Sequence, residues 1–118
     1  MMASEKPTAS LSLDLDNLWS YLKTHGESSW ELYPTYLDTF LPIVLDFLDE
    51  HNLKITFFLV GRDVDDPKNQ PYLREIVKRG HEIGNHSYNH EPWMQDYELE
   101  RVDEELGKTH RGIESTLG

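Results

Sequence analysis

Hydrophobic and polar residues alternate strictly in the segment ASLSLDLD, residues 9–16. Its three leucines share one face, and the serines and aspartates between them share the other. A period of two residues predicts a β-strand. The polar face, which ends in Asp14 and Asp16, is expected to look into something other than a hydrophobic core.

Two later segments also have strand character. Residues 54–60, KITFFLV, form a nearly continuous apolar run rich in β-branched and aromatic residues, and Gly61 ends it. Such a run is typical of a strand covered on both faces, as in a parallel sheet. A short third strand is predicted over His81–Asn85.

Apolar residues at helical spacing occur in three other segments. The first runs from Leu37 to Leu48, and Pro42 either kinks this helix or stands in its first turn, where a missing N–H costs nothing. The second covers residues 71–79 and is closed by Gly80 as a C-terminal cap. The last helix has an apolar stripe of Leu99, Val102 and Leu106.

The resulting order, β-α-β-α-β-α, predicts an α/β protein with a parallel sheet and right-handed crossovers. Residues 1–8 are expected to form a loose leader, and the aromatic-rich residues 17–33 an irregular segment. The 118 residues make one domain at most. Three strands are few for this architecture, so residues 1–118 end while such a fold would still be growing.

Composition excludes several classes of partner. The chain has 11 Lys and Arg against 22 Asp and Glu, a net charge of −11, whereas proteins that bind phosphate backbones need basic residues. Nucleic acid and anionic membrane are therefore not expected as partners. No cysteine is present, so any metal must be held by His, Asp and Glu. The first residues lack an apolar signal segment, and we expect a cytoplasmic protein.

Two clusters could carry chemistry. Asp14 and Asp16 lie at the C-terminal end of the first strand, while His86 and His90 follow the third, so both clusters are expected at one rim of the sheet. If the turn HSYNH is helical, its two imidazoles lie on one face. Asp16 with the two histidines would suit a catalytic zinc ion with a position open for water, and Asp14 could take the proton from that water. Each half alone is also explained by solvated surface residues.

The segments SLDLDN, ITFFLVG and RGHEIGNHSYNH, in this order, resemble the first part of the polysaccharide deacetylase family, the NodB homology domain. The resemblance covers about residues 10–117. It implies a distorted (β/α) barrel of about seven strands, with Asp14 as the catalytic base and Asp16, His86 and His90 as ligands of a divalent metal, zinc in the first place. It also implies hydrolysis of N-acetyl or other N-acyl groups on amino sugars or related small amides.

The family's later motifs do not occur in these 118 residues: an Arg- and Pro-containing segment, an aromatic wall and a late histidine. We therefore expect an N-terminal portion with uncovered apolar surface, completed by a C-terminal half or by a second copy in a homo-oligomer. A non-catalytic half domain that binds a metal or a partner is the alternative. A haloacid dehalogenase-type phosphatase is a further alternative, although Leu18 replaces the Thr or Ser of that motif and the two histidines would be idle.

Other residues have two interpretations each. Asn85 could orient His86 through a hydrogen bond or be a plain loop residue. Arg62 could touch substrate or belong to a charged turn. Trp19 and Trp93 could stack on sugar rings, and packing explains Trp19 equally well. The acidic run from Glu91 to Glu105 is expected to be a solvated helix face.

Overall fold

A computed structural model describes residues 6–118. Residues 1–5 of the predicted leader lie outside the described residues, and residues 6–8 have no regular structure. The strands are β1 (Ser12–Leu15), β2 (Thr56–Leu59) and β3 (Glu82–Asn85). The helices are α1 (Leu18–Thr24), α2 (Leu37–Glu50), α3 (Gly61–Asp65), α4 (Gln70–Lys78) and α5 (Leu99–Leu117). Short 3₁₀ turns cover Trp30–Leu32 and Met94–Asp96.

The three strands form one parallel sheet in the order β1-β2-β3. Asp14 pairs with Phe58, which in turn pairs with Gly84. The predicted α/β class and parallel sheet are confirmed. All three C-terminal strand ends therefore lie along one rim.

Within residues 6–118, the hydrophobic core lies on one face of the sheet. Leu15, Phe57 and Leu59 are buried there against helices on that side. The helical residues of this core are Leu37, Leu41, Leu45 and Leu48 of α2, Val64 of α3, and Leu73 and Ile76 of α4. On the opposite face, Asp14 is exposed and Phe58 is half-buried. The prediction that β2 is covered on both faces is wrong for this part of the chain, because the described helices pack on one side.

The segment predicted to be irregular after β1 contains α1. Asn17 caps this helix, since its side-chain oxygen accepts the N–H of Leu18 at 2.8 Å. Only Trp19 and Ser20 of α1 are buried. A helix of two turns with two adjacent buried residues leaves no periodic pattern, which explains why the sequence did not reveal it.

Helix α2 runs from Leu37 through Pro42, so the proline lies inside the helix and not in its first turn. Helix α4 ends as predicted, with Gly80 at φ +87°, a backbone conformation that favours glycine. The charged segment at residues 61–65 forms the short helix α3 rather than a turn. No helix within residues 6–118 combines the length and the hydropathy needed to span a membrane.

The predicted stripe of α5 is wrong for its two leucines, whereas Val102 is half-buried. Leu99 and Leu106 are 82% and 41% exposed, whereas Glu105 and Thr109 are buried. The buried face begins with these two residues because the start of α3 packs closely there. A Cβ atom on Gly61 would lie 2.4 Å from Oγ1 of Thr109, so only glycine permits this approach. The predicted uncovered apolar surface is present, for example at Ile43 and Phe47 of α2.

Candidate metal centre

The structure brings together residues that follow the two edge strands of the sheet. Asp16 directly follows β1 and His86 directly follows β3, so the two side chains approach each other past the end of β2. His90 reaches the same place from the loop after β3. One ligand atom from each of these three residues lies within 4.8 Å of the other two.

The three side chains converge without satisfying one another. Oδ1 of Asp16 lies 3.3 Å from Nε2 of His86 and 3.2 Å from Nε2 of His90. This oxygen is buried, and within the described chain no hydrogen bond reaches it. Zinc bonds of about 2.0–2.1 Å in a tetrahedron would place neighbouring ligand atoms about 3.3 Å apart. A carboxylate and two imidazoles at this spacing fit a divalent ion.

Electrostatics at this cluster favour the ionised carboxylate. His86, and after it His90, hold the pKa of Asp16 far below its usual range, although burial acts in the opposite direction. In turn, Asp16 raises the pKa of His86, again against burial. The group therefore keeps a negative oxygen beside two imidazole nitrogens, as a cation site requires.

Asp14 stands beside this group of three. Its Oδ2 atom lies 3.9 Å from Nε2 of His86, and its side chain is 60% exposed on the open face of the sheet. Because strand side chains alternate, Asp14 lies on the same face as Asp16. The group of three ligand atoms does not include Asp14. A carboxylate in this position can accept a proton from a group near the cluster.

The loop that carries the histidines is not helical. Ser87 and His90 have positive φ angles of 63° and 52°. Backbone bonds fix the loop to its neighbours: Ser87 O accepts the N–H of Gly61 at 2.8 Å, and Tyr88 O accepts that of Arg62 at 3.0 Å. The segment HSYNH is therefore not the helical turn that would place both imidazoles on one face. The irregular backbone brings both imidazoles to Asp16 instead.

Sequence reasoning missed Glu105 of α5. Its Oε2 atom accepts the backbone N–H groups of Tyr88 at 3.1 Å and Asn89 at 3.2 Å, between the two histidines. Glu105 belongs to the acidic run that was predicted to be solvated, and for this residue the prediction is wrong. Glu91 of the same run is half-buried and pairs with Lys23 at 3.1 Å. Glu105 and Thr109 are four residues apart and so share one face of the helix, which is the sequence signal that could have indicated a polar buried face.

Asn85 does not hydrogen-bond to His86 in the way one interpretation proposed. Its amide nitrogen donates to the carbonyl of Leu106 at 2.8 Å, and its oxygen accepts the N–H of Ser87 at 3.0 Å. Asn85 therefore shapes the first turn of the loop. The ring nitrogen Nδ1 of His90 lies 3.3 Å from the hydroxyl of Thr24.

Of the two interpretations of Trp19, the structure favours packing over sugar stacking. Its ring is buried, and Nε1 donates to Oδ1 of Asp63 at 2.7 Å. Asn17 donates to the same oxygen at 3.0 Å. Burial raises the pKa of Asp63 to about 6, although the bonds from Asn17 and Trp19 lower it.

The remaining two candidates lie on the surface. The Arg62 guanidinium stacks 4.8 Å from the ring centre of Trp30 and 5.3 Å from that of Trp19. Trp93 is 64% exposed. Contact of either residue with substrate stays a prediction.

Curated relatives match a large part of the chain. It is 47% identical over 83 residues to the uncharacterized protein YlxY of Bacillus subtilis, covering 70% of this chain and 24% of that protein. It is also 45% identical over 53 residues to a peptidoglycan-N-acetylglucosamine deacetylase of Bacillus cereus, covering 44% of this chain and 24% of the relative. The chain thus spans about a quarter of the length of these relatives.

Solved structures share the fold. One from Mycobacterium smegmatis covers 92% of this chain and 39% of its own, with a TM-score of 0.74 at 24% identity. A CE4 family pseudoenzyme from Bacillus anthracis is 38% identical, with a TM-score of 0.62 over 69% of this chain and 28% of its own. A family 4 acetyl xylan esterase from Clostridium thermocellum, solved with a cobalt ion, is 32% identical, with a TM-score of 0.60 over 68% of this chain and 38% of its own. The predicted fold, part of a (β/α) barrel, is confirmed.

The sequence profile of the polysaccharide deacetylase family matches residues 19–118. The matched region includes His86 and His90, whereas Asp14 and Asp16 precede it. The family match therefore includes the two histidines, and geometry connects Asp16 to them. On the strength of this match, the chain belongs to the polysaccharide deacetylase family.

Proposed function

We propose that this chain carries the metal-binding portion of a hydrolase that removes an N-acetyl or other N-acyl group from an amino sugar. The observation that carries the proposal is the convergence of Asp16, His86 and His90 on one point without hydrogen bonds between them. An uncompensated buried oxygen facing two imidazole nitrogens is costly unless a cation joins the three.

In this proposal, Asp16, His86 and His90 hold a divalent ion, most simply zinc because of its preference for nitrogen and carboxylate ligands. Such an ion supplies a lowered pKa for coordinated water and polarisation of an acyl carbonyl. Asp14 is the proton acceptor, since its exposed carboxylate lies beside the ligand group and outside it. The cobalt ion in the acetyl xylan esterase structure supports a metal in this family.

The names of similar proteins support the proposed substrate class. The similar proteins include peptidoglycan-N-acetylglucosamine deacetylases and a chitooligosaccharide deacetylase of Rhizobium leguminosarum. These names support an N-acylated sugar as substrate. The family assignment also removes the haloacid dehalogenase-type phosphatase from consideration.

Acetate release tests this function. The protein is loaded with Zn²⁺ or Co²⁺ and incubated with N-acetylglucosamine oligomers, and acetate and free amine are measured together. Equal amounts of both products, lost on chelation and restored by metal, are expected. Metal binding at the three residues without release of either product would overturn the catalytic part of the proposal.

A non-catalytic role is the second candidate function, and the similarity to a CE4 family pseudoenzyme favours it. A mutant of that pseudoenzyme has restored enzymatic activity. In this chain Asp14, Asp16, His86 and His90 are all present. The acetate assay separates the two functions, because the second predicts a metal-loaded protein that releases no acetate.

A further inference from the structure

A buried carboxylate lies directly beneath the loop that presents the two histidines. Glu105 is only 5% exposed, although it sits on α5 between exposed residues. Its Oε2 atom accepts two consecutive backbone N–H groups, those of Tyr88 and Asn89. Its Oε1 atom is buried, and no hydrogen bond to it is found in residues 6–118.

The loop above Glu105 has a backbone that needs such support. Ser87 and His90, on either side of Tyr88 and Asn89, both occupy the left-handed region of φ, which is unfavourable for residues other than glycine. Consecutive N–H groups that point to one place form a natural anion site. Glu105 supplies the anion from within the chain, so these N–H groups need no water or ligand.

Other contacts hold the first turn of the loop and its carbonyl groups. Asn85 fixes its first turn, the N–H groups of Gly61 and Arg62 fix the carbonyls of Ser87 and Tyr88, and Lys23 donates to the carbonyl of Asn89 at 2.8 Å. These contacts leave the N–H groups of Tyr88 and Asn89 to Glu105. Glu105 therefore holds the two N–H groups of the backbone between the two imidazoles that these contacts do not reach.

We propose that Glu105 is a positioning residue: its carboxylate fixes the loop from His86 to His90, so that both Nε2 atoms face Asp16. This inference rests on the proposed metal site and adds the residue that preorganises it. Glu105 touches neither the imidazoles nor Asp16 in the described contacts, and it acts through the backbone of Tyr88 and Asn89. Residues that orient metal ligands are worth a large share of metal affinity.

Zinc affinity of the 118-residue chain, measured by competition with a chelator, tests the proposal. Glu105→Ala is expected to weaken Zn²⁺ binding about 10–100-fold, as do losses of outer-shell partners in other metal sites. Glu105→Gln keeps an oxygen that accepts both N–H groups and is expected to retain most of the affinity. The absorption spectrum of bound Co²⁺ is expected to change in Glu105→Ala and to stay near that of the parent chain in Glu105→Gln.

Two control variants separate positioning from stability. Asp103→Asn removes an exposed carboxylate from the same helix and is expected to leave Zn²⁺ affinity unchanged. Leu48→Ala opens a cavity in the core far from the loop, so it lowers thermal stability while the folded protein keeps its affinity. Zinc affinity of Glu105→Ala equal to that of the parent, at a temperature where circular dichroism shows it folded, would overturn the proposal. If Glu105→Ala does not fold, Glu105→Asp takes its place, because the shorter side chain withdraws the carboxylate from both N–H groups.

Hydrogen exchange distinguishes a failure of this inference from a failure of the proposed function. In the metal-free chain, the amides of Tyr88 and Asn89 are expected to be protected, and Glu105→Ala is expected to remove that protection while the amides of β2 keep theirs. A parent chain that binds no zinc would refute the metal site, and the exchange result would still decide the role of Glu105. Unchanged protection at Tyr88 and Asn89 in Glu105→Ala would refute the positioning role of Glu105.

Discussion

The Oδ1 atom of Asp16 and the Nε2 atom of His86 lie 3.3 Å apart, although their strands, β1 and β3, are separated by β2. Neighbouring strands are about 4.8 Å apart, so the two backbones stand roughly twice that distance from each other. The side chains close this gap because Asp16 and His86 both come directly after the last paired residues of their strands and reach across the end of β2. This pair therefore depends on the register that aligns the ends of β1, β2 and β3.

Metal content tests this arrangement most directly. The purified chain is expected to bind about one equivalent of Zn²⁺, and His86→Ala is expected to lose it, because a single carboxylate and one imidazole hold zinc weakly. Inductively coupled plasma mass spectrometry measures the stoichiometry. His110→Ala is the matched control, since His110 is exposed on α5 and pairs with Glu114. Equal zinc content in His86→Ala and the parent chain would contradict the site.

Asp14→Asn separates proton transfer from metal binding. Asp14 lies outside the group of three ligand atoms, so the variant is expected to keep its zinc. Acetate release is expected to fall about 10²–10⁴-fold, the usual contribution of a general base. Asp38→Asn, an exposed carboxylate at the start of α2, is the control that keeps full activity. Zinc loss in Asp14→Asn would instead make Asp14 a ligand.

Asp63 gives stability a definite pH dependence. Burial raises its pKa to about 6 in the folded protein, above its ordinary value of about 3.9 in the unfolded chain. Between these values the folded state binds more protons than the unfolded state. The contribution of Asp63 is therefore greatest below about pH 4 and is lost as the pH rises through 6, a fall of about 3 kcal/mol in unfolding free energy.

Urea denaturation at several pH values measures this effect. The free energy of unfolding of the parent chain minus that of Asp63→Asn is expected to decrease from pH 4 to pH 7.5. Asp103→Asn removes an exposed carboxylate and is expected to give a nearly constant difference. A difference for Asp63→Asn that is also constant with pH would show an ordinary pKa for Asp63.

Two glycines predict opposite effects of an added methyl group. A Cβ on Gly61 would lie 2.4 Å from Oγ1 of Thr109 and 2.6 Å from the ring of Tyr88, so Gly61→Ala is expected to destabilise the protein by about 1–3 kcal/mol. Gly107 lies in α5 and faces only the flexible end of Arg111 at 3.0 Å. Gly107→Ala is expected to stabilise by about 0.5–1 kcal/mol through lower chain entropy. Chemical denaturation of both variants checks the contrast, and similar values would contradict it.

The corrected face of α5 has its own test. Leu99→Ala is expected to change the unfolding free energy by less than about 0.5 kcal/mol, because Leu99 is exposed. Leu41→Ala, at a fully buried position of α2, is expected to cost about 2–5 kcal/mol. Thermal denaturation of the two variants distinguishes the faces. A large loss of unfolding free energy in Leu99→Ala would instead support the buried face that the leucine spacing predicted.

Periodicity predicted most of the fold but failed where polar groups are buried. The alternation at residues 9–16 and the apolar run at residues 54–60 predicted β1 and β2, because each strand buries side chains on one or both faces. The same rule misplaced the first half of α5, where Leu99 and Leu106 are exposed and Glu105 is buried. A rule based on apolar residues has no means of recognising a carboxylate that backbone N–H groups stabilise.

The candidate site was predictable in part. The sequence placed Asp14, Asp16, His86 and His90 at one rim, because the ends of parallel strands point in one direction. It left two interpretations open for Trp19 and for Asn85, and the hydrogen bonds of both residues favour the structural one. The bond from Trp19 to Asp63 depends on the packing of α1 against α3, which the sequence pattern does not encode.

By itself, then, the sequence determined the parallel α/β order, the polar face of β1 and the rim at which the carboxylates and imidazoles gather. These features follow from short-range periodicity and strand polarity, which each segment carries locally. Only the tertiary structure decided that the histidine loop is irregular and that Glu105 lies beneath it. Contacts between distant segments depend on how β1, β3 and α5 pack together, and this packing is a property of the whole fold.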